Sequence, residues 1–191
     1  MDWDGTWREP PQLPRLRGDE AFRGMSGSVL DFWRFAMSDL RMNNARGYFA
    51  EYLVGRALGL EVARVEWDDF DVLWGDVKIE VKSSAYLQSW AQRRPSTISF
   101  GGLRGRRLDI EAGYVGEQTY NADVYVFAWN RQIDPEKYDP LNVGAWAFHV
   151  LPRSVLEELG YKSVGLATLS RYSKEIGFHD LREAIAAAAA R

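Results

Sequence analysis

Residues 67–84, WDDFDVLWGDVKIEVKSS, decide the fold of this chain. The segment consists of two runs of alternating polar and apolar residues on either side of Gly75-Asp76. Such runs, joined by a dipeptide that begins with glycine, predict a β-hairpin with a two-residue turn, because glycine adopts the positive φ that the turn needs. A turn at these positions pairs Trp74 with Val77 and thereby fixes the register of both strands.

In this register the hairpin has one apolar face and one charged face, because cross-strand partners share a face and successive residues alternate. The apolar face carries Phe70, Val72, Trp74, Val77, Ile79 and Val81. The charged face carries Asp69, Asp71, Glu80 and Lys82. A three-residue turn would instead place Asp71 opposite Ile79, so the clean separation favours the two-residue turn.

The charged face suggests a metal site. Asp71 lies directly opposite Glu80, and such partners have Cβ atoms ~5 Å apart, so the two carboxylates repel unless a cation lies between them. The chain has no cysteine, and the hairpin has no histidine. Hard oxygen ligands therefore favour Mg²⁺ or Mn²⁺ over zinc. Lys82 lies on the same face and can reach a water or phosphate oxygen beside the metal, although a plain ion pair with Asp69 on a solvated face accounts equally well for this charge pattern.

A helix is predicted ahead of the hairpin, from a cap at Asn43 or Asn44 to about Leu58, with Gly59 as its stop. Its apolar pattern predicts that one charged side chain, Glu51, is partly buried.

Glu51 shares one side of this helix with the apolar residues Val54 and Leu58. The mid-helix Gly55 is unfavourable by ~1 kcal/mol relative to alanine, and it predicts the close approach of another backbone. A helix packed on the hairpin could then direct Glu51 at the two opposed carboxylates. The alternative is a surface pairing of Glu51 with Arg56.

The rest of the chain predicts an α/β protein with a mixed sheet. Residues 1–26 form an irregular arm containing Trp3 and Trp7, and a first helix capped by Ser28 opens the remaining domain, residues 27–191. Further strands are predicted at 62–67 (VARVEW), 97–100, 124–129 (VYVFAW) and 145–151 (AWAFHVL). Residues 84–92 form a short helix or a loop, and residues 93–116 are mostly loop. Later helices are predicted at RSVLEEL, ended by Gly160, and from about His179 onward.

Composition limits the function classes. The chain has 191 residues, a net charge of −3 and no cysteine. The length suits one domain, and the absence of cysteine excludes disulfides, zinc fingers, iron–sulfur clusters and thiol nucleophiles. No apolar run approaches the ~20 residues of a membrane span, and the N-terminus has no apolar core of a secretory signal. The expected location is cytoplasmic.

The positive charge is concentrated in one segment. No Asp or Glu occurs from Ser83 to Leu108, although the chain as a whole is acidic. The arginines of this segment are Arg93, Arg94, Arg104, Arg106 and Arg107. They could follow a phosphate backbone. A solvated loop rich in glycine is the alternative.

Taken together, these motifs resemble the PD-(D/E)xK nucleases, the restriction-endonuclease-like superfamily. The matching pieces are a helix that carries Glu51, a strand that carries Asp71, and the Glu80-Val81-Lys82 triplet on the next strand, within IEVKSS. The continuation through AYLQSW, RRPSTISF, NADVYVFAW and WAFHVLP resembles a bacterial subgroup of largely uncharacterised members. The resemblance covers roughly residues 43–169.

The resemblance implies an αβββαβ core with a four-stranded mixed sheet flanked by helices. It implies that Asp71, Glu80 and the Val81 carbonyl bind Mg²⁺ or Mn²⁺, and that Glu51 ligates a metal directly or through water. Lys82 would orient or activate the attacking water, and Gln88 would support the site. Phe70 stands where many members have proline before the aspartate, and the neighbouring Asp69 is a second candidate for the metal-binding aspartate.

The implied function is a metal-dependent endonuclease that hydrolyses phosphodiester bonds in DNA, in restriction or phage defence. The expected partner is DNA, and a homodimer or a restriction-system partner are further candidates. A catalytically silent module of the same fold, which binds nucleic acid or a protein, is the alternative; a structural subunit is a third. The sequence does not distinguish DNA from RNA.

Overall fold

The computed structural model describes residues 13–61, 70–109 and 113–191. The chain forms two compact units, Met1–Ser38 and Asp39–Arg191. Several predicted features lie outside the described residues: Trp3, Trp7, the strand at 62–67 and Asp69.

The first unit contains helix α1, Val29–Met37. The helix begins at the predicted cap: the Ser28 Oγ accepts a hydrogen bond from the Asp31 N–H at 3.3 Å, and Asp31 Oδ2 accepts one from the Ser28 N–H at 2.8 Å. This reciprocal pair satisfies two N–H groups that a helix start leaves without partners. The unit boundary after Ser38 places α1 with the N-terminal segment, whereas the predicted arm ended at residue 26.

The second unit is a mixed α/β assembly. Its helices are α2 (Asn43–Ala57), α3 (Arg153–Leu159), α4 (Leu166–Tyr172) and α5 (Leu181–Ala189). Its strands are β1 (Val72–Trp74), β2 (Val77–Ala85), β3 (Ser99–Phe100), β4 (Gly105–Asp109), β5 (Gly113–Thr119), β6 (Val124–Asn130), β7 (Trp146–Pro152) and β8 (Val164–Gly165).

The central sheet has the order β1-β2-β6-β7. Strands β2 and β6 are parallel, and the other two pairs are antiparallel. The sheet is therefore mixed, as predicted. In the hairpin, Trp74 pairs with Val77 and Val72 with Ile79, so the predicted two-residue turn is confirmed, as is its register over these strand residues. The ladder ends at Val72 and Ile79, so the predicted pairing of Asp71 with Glu80 is not part of it. Gly75 has φ +60°, the left-handed conformation that favours glycine in such a turn.

Apolar side chains cover both faces of the sheet. The α2-side core is made of buried residues from α2, α5 and one face of the sheet: Ala50, Leu53, Val54, Ile79, Val81, Val126, Phe148 and Ile185. The Tyr125-side core covers the opposite face: Phe100, Tyr125, Phe127, Trp129, Leu156 and Leu169. Every residue of β6 is buried, which explains why its sequence is a continuous apolar run.

The connection from β2 to β6 differs from the prediction. Residues 86–98 form a loop, one of the two alternatives predicted for residues 84–92, and the described residues of the whole connection contain no α-helix. The loop is closed by its own hydrogen bonds: the Ser96 N–H donates to the Tyr86 carbonyl at 2.8 Å, and the Gln92 amide donates to the same carbonyl at 3.1 Å. The Gly- and Arg-rich segment predicted as loop instead contains the β4–β5 hairpin.

Helix ends agree with the sequence in part. The predicted asparagine cap of α2 is wrong, because Met42 is the N-cap and Asn43 is the first helical residue, with its side chain accepting a hydrogen bond from Arg46. The predicted glycine stops are confirmed: Gly59 and Gly160 have φ +77° and +65°. Among the described residues, none of the helices has the length and apolar character needed to cross a membrane.

The first prediction tests the packing of the hairpin. Ile79 is completely buried, whereas Leu73 on the partner strand is 47% exposed. We expect Ile79→Ala to lower the free energy of unfolding by about 2–5 kcal/mol, because it leaves a cavity in the α2-side core. The matched control Leu73→Ala should lower the free energy of unfolding by much less, because Leu73 is exposed. Urea denaturation measures both variants, and equal losses would contradict the assigned faces.

Candidate functional site

Glu80 and Lys82 lie in the middle of β2 on the face of the Tyr125-side core. Their neighbours across the parallel ladder are Tyr125 and Phe127, respectively. Lys82 Nζ lies 2.5 Å from Glu80 Oε1, and the two side chains are only 24% and 18% exposed. This is a shielded ion pair rather than a solvated surface contact, so each charge depends strongly on the other.

Asp71 lies at the end of the β1–β2 ladder, and its side chain accepts the next backbone hydrogen bond from β2. Its N–H donates to the Ile79 carbonyl at 3.0 Å, although Val72 is the ladder partner of Ile79. Two residues of one strand therefore face a single residue of the other, which is the arrangement of a β-bulge. Beyond it, Asp71 Oδ2 accepts a hydrogen bond from the Val81 N–H at 2.7 Å, so a carboxylate takes the place of a backbone acceptor.

The bulge overturns the predicted face of Phe70. Strict alternation places Phe70 beside Val72 on the apolar face, but Phe70 packs against the Tyr125-side core. Lys78 Nζ lies 5.3 Å from the centre of the Phe70 ring. The extra residue in the ladder shifts the parity, and Phe70 consequently lies on the same face as Glu80.

The charge of Asp71 acts on the Glu80 carboxyl. Burial raises the pKa of the Glu80 carboxyl above its ordinary value, and the negative charge of Asp71 raises it further, while Lys82 acts in the opposite direction. Burial also raises the pKa of Tyr125 to about 12, with a contribution from the Glu80 charge. The ionised form of Glu80 is therefore unfavourable in its surroundings unless a cation compensates it.

The structure does not bring Glu51 to the face of Glu80. Glu51 is half-buried on α2, and the buried residues of α2 pack against Ile79 and Val81, on the other face of the sheet. Among residues 13–61, 70–109 and 113–191, no group of three or more His, Asp or Glu side chains is arranged to hold a metal ion. The predicted convergence of Glu51 on the two hairpin carboxylates is therefore not confirmed.

The close approach of α2 to the sheet occurs at a different glycine from the predicted one. A Cβ at Gly55 would meet nothing within 4 Å, whereas one at Gly47 would lie 4.0 Å from Ser83 Oγ. Helix α2 contains two glycines, and the sequence alone does not show which of them faces the sheet; that depends on how the helix packs.

Gln88 lies just beyond the carboxyl end of β2. Its Oε1 accepts a hydrogen bond from Arg46 Nη1 at 3.1 Å, and its Nε2 donates to the Ala85 carbonyl at 2.8 Å. Arg46 is 6% exposed and also donates to the Arg41 carbonyl at 2.9 Å. The carbonyl end of the Gln88 side chain therefore attaches the loop to helix α2, and the amide nitrogen attaches it to the end of β2.

The five predicted nucleic-acid-binding arginines have different environments. The Arg104 guanidinium donates to the Gly160 carbonyl at 2.6 Å and lies 4.9 Å from the Tyr120 ring, so it connects parts of the fold. Arg93, Arg94 and Arg106 are exposed. Arg107 belongs to β4, and its side chain lies outside the described part of the structure.

Two neighbours of the site were not predicted. Tyr125 lies beside Glu80, and a Cβ on Gly102 would lie 3.8 Å from Lys82 Nζ. Tyr125 could have been identified from the alternating pattern of VYVFAW once its pairing with β2 was known. Gly102 has φ +64°, and no local signal connects it with Lys82.

Comparison of the chain with known protein families and with curated protein sequences finds no match. The function therefore has to be argued from the geometry of this site.

The second prediction follows from the raised pKa of Glu80. A folded-state pKa above the ordinary value of 4.5 means that protonation of Glu80 stabilises the fold, and that this stabilisation is lost as the pH rises through the folded-state pKa. Glu80→Gln keeps the side chain neutral at every pH. We expect its melting temperature to exceed that of the wild type at pH 7–8, with the difference shrinking as the pH approaches 4.5.

Thermal denaturation across this pH range measures the effect, with Glu158→Gln, at an exposed position of α3, as the control. A Glu80→Gln variant that is less stable than the wild type at pH 8 would show that the ion pair with Lys82 outweighs burial.

Proposed function

We propose that this protein is a metal-dependent endonuclease with a restriction-endonuclease-like core, which hydrolyses phosphodiester bonds in DNA. The observation that carries the proposal is the grouping of Asp71, Glu80 and Lys82 where the β1–β2 ladder ends. Two neighbouring carboxylates and one lysine, partly shielded from water, are the side chains that a metal-assisted phosphodiester hydrolysis requires. The four-stranded mixed sheet supports the fold assignment, while the absence of an α-helix among the described residues of the β2–β6 connection departs from the αβββαβ order.

The residues present fit a hard divalent cation. Asp71 and Glu80 supply carboxylate oxygens, and the pKa of Glu80 is raised by burial and by Asp71 although Lys82 contacts it. The Val81 carbonyl is directed to the same side of β2 as the Val81 N–H, which contacts Asp71. These three oxygen donors would hold Mg²⁺ or Mn²⁺. When bound, the metal would supply Lewis-acid activation of the scissile phosphate and of water.

Lys82 supplies the second element of the chemistry. Its ammonium contacts the Glu80 carboxylate. Beside a phosphodiester it would orient the attacking water and stabilise the negative charge that develops in the transition state. A direct role for Glu51 stays a prediction from the resemblance, as does a supporting role for Gln88.

A catalytically silent module of the same fold is the second candidate. Two observations favour it: within the described residues the carboxylates do not form a group of three, and Lys82 already neutralises Glu80. Such a module would bind nucleic acid or a protein without cleaving it. Metal binding and turnover distinguish the two candidates.

The third prediction concerns the metal. Millimolar Mg²⁺ or Mn²⁺ should raise the melting temperature of the wild type, because a ligand that binds only the folded state stabilises it by mass action; the gain is about 2.7 kcal/mol at a hundredfold excess over Kd. Asp71→Asn should abolish the metal effect. Asp76→Asn, in the exposed turn of the same hairpin, should retain it. Identical melting of the wild type with and without metal would contradict the site.

The fourth prediction separates catalysis from binding. Lys82→Ala leaves Asp71 and Glu80 in place, so the metal should still stabilise the variant. Single-turnover cleavage of plasmid and single-stranded DNA should fall by about 10²-fold or more, since Lys82 acts mainly on the transition state. Lys162→Ala, at an exposed position, is the matched control.

Full cleavage activity in Lys82→Ala would show that Lys82 is not a catalytic residue, and the proposed site would be wrong. Metal binding without cleavage of any DNA or RNA by the wild type would favour the silent module.

A further inference from the structure

A second concave site opens beyond the carboxyl end of β2. It is a cavity of about 380 Å³, bounded by the loop of residues 87–95, by Arg41 and by Tyr138. This volume is typical of sites that bind small molecules or parts of larger ligands. The cavity is lined by two aromatic rings, three arginines and no acidic residue: Trp90, Tyr138, Arg41, Arg93 and Arg94.

The loop that forms one wall is held in shape by two glutamine side chains. The Gln92 Oε1 accepts a hydrogen bond from the Gln88 N–H at 2.6 Å, and its Nε2 donates to Ser96 Oγ at 3.0 Å. Gln88 in turn is bound to Ala85 and to the buried Arg46. The cavity is therefore built on a braced loop, so a ligand would not have to order it.

The lining combines a stacking surface with positive charge. Trp90 is a large ring that is 56% exposed, although indole is among the most favourable side chains to bury. On the other wall the Arg41 guanidinium lies 5.8 Å from the centre of the Tyr138 ring and is fixed by an ion pair with Asp39 at 2.9 Å. Arg93 and Arg94 are exposed. Within the described residues, Arg93 and Arg94 form no ion pair, unlike Arg41. An exposed aromatic ring beside these two arginines matches a planar base followed by a phosphate.

The position of the cavity connects it with the proposed catalytic site. Lys82 lies three residues before the end of β2, which corresponds to about 10 Å at the rise of a β-strand. The cavity begins at Leu87, two residues after β2 ends. Lys82 and Leu87, which lines the cavity, are therefore only five residues apart in the chain.

We infer that this cavity binds an unpaired base of single-stranded DNA by stacking on Trp90, with the adjacent phosphates held by Arg93 and Arg94. This inference rests on the proposed function, since it identifies the form of substrate that the enzyme holds. A duplex presents no free base face to the cavity, so the wild type should prefer single-stranded or unpaired regions.

The test is binding in EDTA, where metal-dependent cleavage cannot occur. Fluorescence anisotropy of a labelled single-stranded oligonucleotide of mixed sequence gives Kd, and the matching duplex gives the preference. We expect Trp90→Ala to weaken single-strand binding about tenfold, and Trp90→Phe to retain most of the affinity because a ring remains. Tyr172→Ala, which removes an exposed ring on α4, is the control and should bind normally.

The arginines have a separate readout. Replacing Arg93 and Arg94 together by alanine should reduce the slope of log Kd against log salt by about 0.7 for each lost phosphate contact on a single strand. The control Arg171→Ala, exposed on α4, should leave the slope unchanged. An affinity of Trp90→Ala within twofold of the wild type, or an unchanged slope in the double variant, would overturn the inference.

Binding of a free mononucleotide shows whether the base and phosphate that the cavity recognises belong to a free nucleotide or to a DNA strand. If a deoxynucleoside monophosphate bound as tightly as the oligonucleotide, the ligand would be a nucleotide rather than a strand, and the inference would be wrong. The metal-induced rise in melting temperature, measured on Trp90→Ala, tests the proposed function separately. If metal did not raise the melting temperature of the wild type, the proposed metal site would be contradicted, whereas the DNA binding measured in EDTA would be unaffected.

Discussion

The hydrogen bond from the Val81 N–H to the Asp71 carboxylate is the contact on which the candidate site depends. It ends the β1–β2 ladder with a side chain and accompanies the bulge opposite Ile79. The consequence is electrostatic: burial raises the pKa of Glu80, and the carboxylate fixed beside it raises that pKa further, against the opposing effect of Lys82. An ionised Glu80 in this position reduces the stability of the fold, and titratable groups perturbed in this way are frequent at functional sites.

Strand β2 connects the two sites that we propose. Its middle carries Glu80 and Lys82 on the face of the Tyr125-side core, and its end leads into the loop with Trp90. The strand pairs with β1 on one side and with the fully buried β6 on the other, so it is among the most constrained elements of the fold. A rigid strand can hold a reacting group and a base-binding cavity at a fixed separation, which favours one register of a bound nucleic acid.

Features set by local chemistry could be predicted from the sequence. The Gly75-Asp76 turn, the Ser28 cap and the buried strand β6 each depend on residues adjacent in the chain. Features set by tertiary packing could not: the bulge that places Phe70 on the other face, and the packing of the buried α2 residues on the face of the sheet opposite Glu80. The β4–β5 hairpin was missed because glycines and arginines are typical of loops, and no local signal in the sequence indicates the contacts of Arg104 with Gly160 and Tyr120.

The most direct test of the central claim is to locate the metal itself. Crystals of the protein grown with Mn²⁺, measured at a wavelength where manganese scatters anomalously, would show its position without reference to activity. The account predicts one strong anomalous peak within about 2–2.3 Å of oxygen atoms from Asp71, Glu80 and the Val81 carbonyl, with Lys82 displaced from Glu80. A peak at other residues, or an unbroken Lys82–Glu80 ion pair in crystals saturated with Mn²⁺, would contradict it.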